Sequence, residues 1–183
     1  MNSPIKVIDD VVSRSYQNRI EDMFSGLYWK FQDGLTYRAP QISVYDGLDL
    51  NTGFVNVIYN RDDNIRGNAT SEFLLPLLYE GIDNYRKGQL LKEYYRIRAV
   101  MWIKNQNKDP HIPHCDLSID HYTMVYYVHD TDGPTRFHND NGVFKEVQPK
   151  KGRAVIFPGN VKHSSSTPIK NSRRMIINFN FLI

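Results

Sequence analysis

The stretch GRAVIFPGNVKHSSSTPIKNSRRMIINFNFLI (residues 152–183) largely decides the expected fold. Its opening, residues 152–159, is an apolar, β-branched run that stops at Pro-Gly, which is typical of a buried strand followed by a turn. Its end, residues 173–183, alternates apolar and polar side chains and predicts a second strand with two distinct faces. His163 lies in the connection between them. The stretch therefore predicts two strands joined through a turn that carries a histidine.

Further strand patterns precede this stretch. Residues 95–103 and 121–129 are rich in β-branched and aromatic side chains, and residues 136–139 and 143–147 flank the hairpin signal NDNG. Several short strands at close spacing are typical of a β-sandwich or a barrel. The second half of the chain is therefore expected to be mainly β.

The first half mixes strand and helix patterns. Residues 5–12 and 29–32 predict short extended segments. Residues 13–25 place apolar side chains on one helical face, and Ser13 is suited to be the N-cap. We expect this helix to cover one face of the β-structure.

A second helix is predicted over residues 70–87, which carry an apolar stripe at helical spacing. Thr70 or Ser71 is expected to cap it. Pro76 is expected in its first turn, where the missing N–H is tolerated. This helix is assigned to core packing and not to chemistry.

Length and composition suit one soluble domain. The chain has 183 residues, 40% hydrophobic and 23% charged, with a formal net charge of +3. We expect a single domain over 1–183, with supporting helices and strands in 1–94 and the β-rich core in 95–183. One cysteine excludes an internal disulfide, and the N-terminus lacks the apolar run of a signal peptide, so a cytoplasmic location is expected. The scattered basic residues do not demand a nucleic-acid partner.

The segment HIPHCDLS (residues 111–118) offers several metal-binding side chains. His114 and Asp116 are separated by one residue, so on an extended strand both point the same way. His163 is the candidate third ligand. Two imidazoles and one carboxylate form a facial triad that leaves open positions on Fe(II), although zinc accepts the same ligands. His111 is assigned to a loop at the mouth of the site, and Cys115 to the core, pointing away from the metal.

The ordered set of these motifs resembles the Fe(II)/2-oxoglutarate-dependent dioxygenases, specifically their prolyl-4-hydroxylase-like branch. HCD resembles the family's H-x-D motif, and the matching parts that follow are YTMVYYVHDTDGPTRF (122–137), KKGRAVIFPGNVKHSSSTPI (150–169) and RRMIINFNF (173–181). The N-terminal segment is similar to openings seen in small, often phage-encoded members, whose location is the host cytoplasm. The resemblance implies a double-stranded β-helix, a jelly-roll or cupin-like barrel with flanking helices.

The resemblance also implies Fe(II), 2-oxoglutarate and O2 as cofactor and cosubstrates, with ascorbate as a supporting reductant. The far carboxylate of 2-oxoglutarate needs a buried cation, best a bidentate arginine. Arg173 and Arg174 both fit by spacing after His163, and on a strand they point to opposite faces. In the family a proline precedes the arginine by five or six residues; Pro168 plus six gives Arg174, and the apolar run MII directly after it also favours Arg174.

Three further residues are assigned to the 2-oxoglutarate pocket from the resemblance. Tyr127 stands where the branch has the second of two adjacent tyrosines, and Thr123 lies on the same strand face. Asn105 is a weaker candidate, because the segment before H-x-D departs from the family pattern there. His111 is a candidate substrate contact at the rim.

The implied reaction hydroxylates a substrate C–H bond and releases succinate and CO2. A peptidyl (prolyl-like) or small-molecule substrate is expected, whereas a nucleobase is disfavoured because MIINFNFLI lacks a further arginine. The loops at 33–68, 106–113 and 130–142 are expected around the open end, with 61–68 as a candidate lid. A non-oxidative, cupin-like metal- or ligand-binding barrel is the alternative, and a structural interaction module is a third possibility.

Overall fold

We describe residues 4–32, 52–104 and 111–183 in a computed structural model of the protein. These residues form helices α1 (Arg14–Ser25) and α2 (Ala69–Tyr85) and strands β1 (Lys6–Ile8), β2 (Lys30–Gln32), β3 (Gly53–Asn60), β4 (Glu93–Ile103), β5 (Tyr122–Tyr127), β6 (Thr135–Asn139), β7 (Gly142–Val147), β8 (Ala154–Pro158), β9 (His163–Ser164) and β10 (Arg173–Leu182). None of the helices among them is long and apolar enough to cross a membrane.

The strands build two antiparallel sheets. The large sheet has seven strands in the order β1-β8-β5-β10-β4-β3-β2, and the small sheet has three in the order β7-β6-β9. The final strand, β10, lies in the middle of the large sheet, where it pairs with β4 on one side and β5 on the other. The N-terminal strands β1, β2 and β3 extend this same sheet at its two edges.

Alternation along β5 separates two apolar cores. Met124 and Tyr126 are fully buried against the helices, in a core that includes side chains of both α1 and α2. Val125 and Tyr127 point the opposite way, into a core shared with Phe137 of the small sheet. The molecule is therefore layered as helices, large sheet and small sheet, and the inner face of the large sheet is the one that faces the candidate site.

The helix ends agree with the sequence only in part. Ser13 caps α1 as predicted, by accepting from the backbone N–H of Tyr16. The predicted N-cap of α2 is wrong, because Asn68 and not Thr70 or Ser71 is the cap, and it accepts from the N–H groups of both.

The expected place of Pro76 is also wrong. The residue lies inside α2, at the eighth helical position, and not in the first turn. It is exposed, and so is Glu72, whose carbonyl is the one deprived of its usual donor. Solvent can satisfy that carbonyl, which explains why the helix continues.

The expected loop over 33–68 is partly wrong, because its described part contains the eight-residue strand β3. Alternation in this strand is interrupted by a register shift between Val57 and Tyr59, which weakens the sequence signal. The short strand β9 was not predicted either, since two residues carry no periodicity.

Candidate active site

His114, Asp116 and His163 form the one group of metal-binding side chains found among the described residues. Their ligand atoms all lie within 4.8 Å of one another. His114 Nε2 is 3.9 Å from Asp116 Oδ1, and His163 Nε2 is 3.8 Å from Asp116 Oδ2. The three side chains therefore present two nitrogens and a carboxylate to one point, as a facial triad requires.

A backbone bridge brings the two histidines together. His114 N donates to His163 O at 2.9 Å, and His163 N donates to His114 O at 3.0 Å. This isolated antiparallel pair sets residues 49 positions apart side by side, with ring centroids 4.6 Å apart. The Pro-Gly turn after β8 thus returns the chain to the H-x-D segment.

Each imidazole is oriented by its other nitrogen. His114 Nδ1 lies 3.1 Å from the carbonyl oxygen of Ile112, and His163 Nδ1 lies 3.3 Å from that of Val161. A carbonyl only accepts, so Nδ1 carries the proton and the Nε2 lone pair faces the site. Burial lowers the pKa of His114 to about 4 and also lowers the pKa of His163. Both rings are neutral near pH 7, the form that binds a metal.

Asp116 is held by three neutral donors on its Oδ2 atom. Asn180 Nδ2 donates at 2.9 Å, Asn178 Nδ2 at 3.1 Å and Thr123 Oγ1 at 3.2 Å. Both asparagines lie on the inner face of β10 and are buried. These bonds fix the carboxylate before any metal binds.

Two arginines of β4 approach the other oxygen. Arg96 Nη2 is 3.0 Å from Asp116 Oδ1, and Arg98 Nη2 is 3.7 Å from it. Burial raises the pKa of Asp116, but the positive charges of Arg96 and Arg98 outweigh it and hold the pKa well below its usual range. Asp116 is therefore an anion near neutral pH.

Arg174 is the second feature of the site. The side chain is 0% exposed, and its Nη2 donates to Thr135 Oγ1 at 2.9 Å while Nη1 donates to Ser165 Oγ at 3.3 Å. Its guanidinium lies 4.6 Å from the ring centroid of Trp102, and Tyr127 donates to the same Thr135 oxygen at 2.8 Å. No carboxylate of the described residues forms an ion pair with it.

A buried cation without a counter-ion is costly, and burial lowers the pKa of Arg174 to about 10. It remains charged at neutral pH and suits an incoming carboxylate. Arg173, its neighbour, is exposed, as expected for adjacent strand residues.

A single cavity runs between the triad and the surroundings of Arg174. About 410 Å³ of space not filled by atoms lies within this cavity and in the open solvent at its mouth. Its walls include Trp102, Thr135 and Ser165 near Arg174, and Asp116 and Arg98 at the metal end. The residues present fit both a divalent metal and a dicarboxylate that spans from the metal to the arginine.

The remaining sequence candidates have different positions. Tyr127 is buried beside Arg174, but Thr123 lies against Asp116, and its contact with 2-oxoglutarate stays a prediction. His111 is only 2% exposed and packs against Trp102, so it lies inside the barrel and not on an exposed rim; its role toward substrate stays a prediction. Asn105 lies outside the described residues.

The expectation for Cys115 is wrong in one respect. The side chain is absent from the ligand group, as predicted, but it is exposed and not part of the core. Its segment is not a regular strand with a buried opposite face, so pointing away from the metal leads to solvent.

Sequence reasoning missed several site residues. Arg96 with Arg98, and Asn178 with Asn180, occupy alternate positions in apolar strands, and these polar interruptions were a visible signal. Thr135 gave no signal, because a lone hydroxyl residue after a turn is ordinary.

Residues 97–182 match the family model of the 2OG-Fe(II) oxygenase superfamily, and this match covers H-x-D, the distal histidine and both arginines of β10. This segment belongs to the 2OG-Fe(II) oxygenase superfamily. The matched segment is that of a 2-oxoglutarate- and Fe(II)-dependent oxygenase, with Fe(II) as the cofactor and 2-oxoglutarate as the cosubstrate. A search of curated protein sequences found no match.

Solved structures show that the fold is the double-stranded β-helix of this superfamily, which confirms the expected fold class. An oxidoreductase of the 2OG-Fe(II) oxygenase family from Burkholderia pseudomallei aligns with a TM-score of 0.70 at 14% identity, over 97% of this chain and 85% of that one. A Pseudomonas putida prolyl-4-hydroxylase aligns with a TM-score of 0.64 at 12% identity, over 97% and 91%. A Trichoplax adhaerens prolyl hydroxylase, in complex with a hypoxia inducible factor peptide fragment, aligns with a TM-score of 0.65 at 15% identity, over 98% and 83%.

Proposed function

We propose that His114, Asp116 and His163 bind Fe(II), that Arg174 binds the far carboxylate of 2-oxoglutarate, and that the enzyme hydroxylates a C–H bond. The proposed substrate is a peptidyl (prolyl-like) or small molecule. The observation that supports this most is the fully buried Arg174 without a carboxylate partner among the described residues, across one cavity from the triad. A barrel that only bound a metal would have no use for this cation.

When bound, Fe(II) and 2-oxoglutarate supply the oxidising power: O2 is consumed, 2-oxoglutarate loses CO2 to become succinate, and the substrate C–H bond becomes an alcohol. The chain's own residues do the positioning. Thr135 and Ser165 hold the guanidinium of Arg174, and Tyr127 sets the hydroxyl of Thr135. These contacts preorganise a pocket for a carboxylate in a water-poor interior.

Asp116, the proposed carboxylate ligand, is also held in a fixed orientation. Asn178, Asn180 and Thr123 hold Asp116 Oδ2, so the carboxylate cannot rotate freely. The two imidazoles are neutral and fixed through their Nδ1 atoms, so the metal need not displace protons from them. These contacts support the proposed ligand set, because they orient all three side chains toward one point.

An anaerobic titration tests this proposal. Adding Fe(II) and 2-oxoglutarate to the purified protein is expected to give a weak visible charge-transfer band. His114→Ala should abolish the band and lower iron binding by at least about tenfold, because one of three ligands is lost. His111→Ala is the matched control and should retain the band. A folded, iron-loaded wild-type sample without the band would contradict the proposal.

Substrate class requires a second measurement. We expect succinate release above the uncoupled background when a suitable peptide or small molecule is present, with the product heavier by one oxygen atom in mass spectrometry. Succinate release without any substrate oxidation across peptides and small molecules would contradict the hydroxylase part of the proposal only.

A further inference from the structure

A second arginine of the cavity, Arg98, has no part in the proposed 2-oxoglutarate pocket. It lines the cavity on β4, its side chain 20% exposed, and its register partner on β10 is Asn178. Arg174 is instead paired with Trp102, four residues further along the strand, which is roughly 13 Å at about 3.3 Å per residue. The two cations therefore belong to different ends of the cavity.

Arg98 is only partly engaged by the residues around it. Its Nη2 lies 3.7 Å from Asp116 Oδ1, an oxygen that Arg96 already holds at 3.0 Å. Its Nε–H is buried and has no hydrogen-bond partner among the described residues. A buried donor of this kind is costly when left unmade, so a ligand atom that accepts from it is favoured.

The net charge of the site with Fe(II) and 2-oxoglutarate bound also favours an anionic ligand near Arg98. Among the described residues, Arg98 lines the cavity, Arg96 contacts Asp116, and Arg174 contacts the lining residues Thr135 and Ser165; Asp116 is the single acid in the lining. Bound Fe(II) and the 2-oxoglutarate dianion would cancel each other in net charge. Three arginines against one carboxylate then leave an excess of two positive charges around the loaded site. Arg98 lines the cavity, so an anionic ligand beside it would reduce this excess.

An acceptor lies opposite this donor. Asn178 lines the same cavity, and its Nδ2 is committed to Asp116. Its Oδ1 is buried and has no hydrogen-bond partner among the described residues. Arg98 and Asn178 are directly opposite in the β4–β10 register. An anionic group with an adjacent N–H or O–H would satisfy both side chains.

We propose that Arg98 binds a carboxylate of the substrate, so that the substrate is a small carboxylic acid oxidised close to its acid group. The planar guanidinium fork matches a carboxylate, and Asn178 accepts from a neighbouring N–H or O–H. This inference rests on the proposed oxygenase function and narrows its substrate from any peptide or small molecule to an acid that fits inside the cavity.

The test uses full-length protein loaded anaerobically with Fe(II) and 2-oxoglutarate. The probes are N-acetyl-L-leucine and N-acetyl-L-valine, which carry an N–H beside the acid group, and cyclopentanecarboxylate, which lacks one; each is compared with its neutral primary amide. Binding is followed as a shift of the visible band, and 2-oxoglutarate affinity is measured separately. Failure of the band itself would count against the proposed function, whereas a normal band without acid preference would count only against Arg98.

In the wild type, at least one acid should bind about tenfold more tightly than its amide, the difference made by one charge-assisted hydrogen bond. Arg98→Met should reduce this ratio to within about twofold, and Arg98→Lys should keep part of it. Arg96→Met is the matched control, because it removes a charge from Asp116 without changing the cavity wall, and it should keep the preference.

Three outcomes would overturn the inference. One is the absence of any acid preference in the wild type, including failure of all the acids to bind. Another is a preference that survives in Arg98→Met. The third is a loss of 2-oxoglutarate affinity in Arg98→Met as large as that in Arg174→Met, which would make Arg98 a cosubstrate residue.

Discussion

Adjacent arginines on β10 have opposite environments, and this contrast can be measured. Arg174→Met should weaken 2-oxoglutarate binding roughly 100-fold. Two charge-assisted hydrogen bonds of about 1.5–3 kcal/mol each are lost, and water compensates for part of this loss. Arg173→Met is the control and should change affinity less than about twofold, since Arg173 is exposed. Titration of the anaerobic visible band measures both.

The melting temperature of Arg174→Met distinguishes a role in 2-oxoglutarate binding from a structural role. Arg174 is buried without an acidic partner among the described residues, so its replacement by methionine should leave the melting temperature unchanged or raise it. A variant that both melts earlier and binds 2-oxoglutarate normally would show that the arginine serves packing. A loss of affinity in Arg173→Met would show that the strand register is wrong.

The residues of the site were predictable to different degrees. His114, Asp116 and His163 follow an ordered motif, and the structure brings them to one point, although their role as ligands stays a prediction. Alternation predicted only that one of Arg173 and Arg174 faces the barrel, and the proline spacing of the resembled family favoured Arg174. Thr135 and Ser165 could not be found, because they reach Arg174 only where the start of β6 and the segment after β9 meet in three dimensions.

At the scale of elements, one carboxylate fastens the connection that leads into β10. Asp132, in the turn between β5 and β6, accepts from the backbone N–H groups of Ile169, Lys170 and Asn171 at 2.7, 2.9 and 3.0 Å. Burial raises its pKa, but the backbone donors outweigh burial and leave the pKa below its usual value. The turn is thereby tied to the segment that positions Arg174.

Asp132→Ala should lower the free energy of unfolding by about 2 kcal/mol at pH 7. Because the folded-state pKa is depressed, this stabilisation is fully present above the unfolded value of 3.8 and is lost as the pH falls through the folded pKa. The difference between wild type and variant should therefore be constant from neutral pH down to about pH 5 and shrink below about pH 4. Urea denaturation across this range measures it.

Asp140→Ala is the control for this experiment, because Asp140 is exposed in the turn between β6 and β7. It should change the free energy of unfolding by less than about 0.5 kcal/mol at each pH. An Asp132 variant that matched this control would show that the three hydrogen bonds do not stabilise the fold. A constant difference down to pH 2 would show that the carboxylate charge is not involved.

For the whole molecule, the sequence predicted both helices and most strands but not the layering in full. Periodicity identifies an element that presents one face to a core, as in α1 and β10. It says nothing of which strands are neighbours, and β10 lies between β4 and β5 only through long-range pairing. The strand β3 was missed because its alternation is interrupted, and Asn68 because three possible caps stand close together.

The two sheets are joined where their connections touch, and this contact can be tested with two glycines. Gly133 has a positive φ of 89°, and a Cβ there would lie 2.8 Å from Ser166 O and 3.1 Å from Thr167 O, both backbone atoms. Gly142 has φ 106° but nothing within 4 Å of an added Cβ. Gly133→Ala should therefore cost about 3 kcal/mol, from backbone strain and steric overlap, against about 1 kcal/mol for Gly142→Ala.

The larger destabilisation expected for Gly133→Ala should be accompanied by weaker 2-oxoglutarate binding. The segment displaced by an alanine at Gly133 is adjacent to Ser165, which accepts from Arg174, so 2-oxoglutarate affinity should fall at least about fivefold. Iron binding should change less, because His114 and His163 are held by their own backbone bridge.

Urea denaturation and paired titrations with Fe(II) and 2-oxoglutarate measure these effects. Equal costs for the two alanines would mean that the contact between the connections does not hold the sheets together, and unchanged 2-oxoglutarate affinity would mean that the pocket is positioned by other contacts.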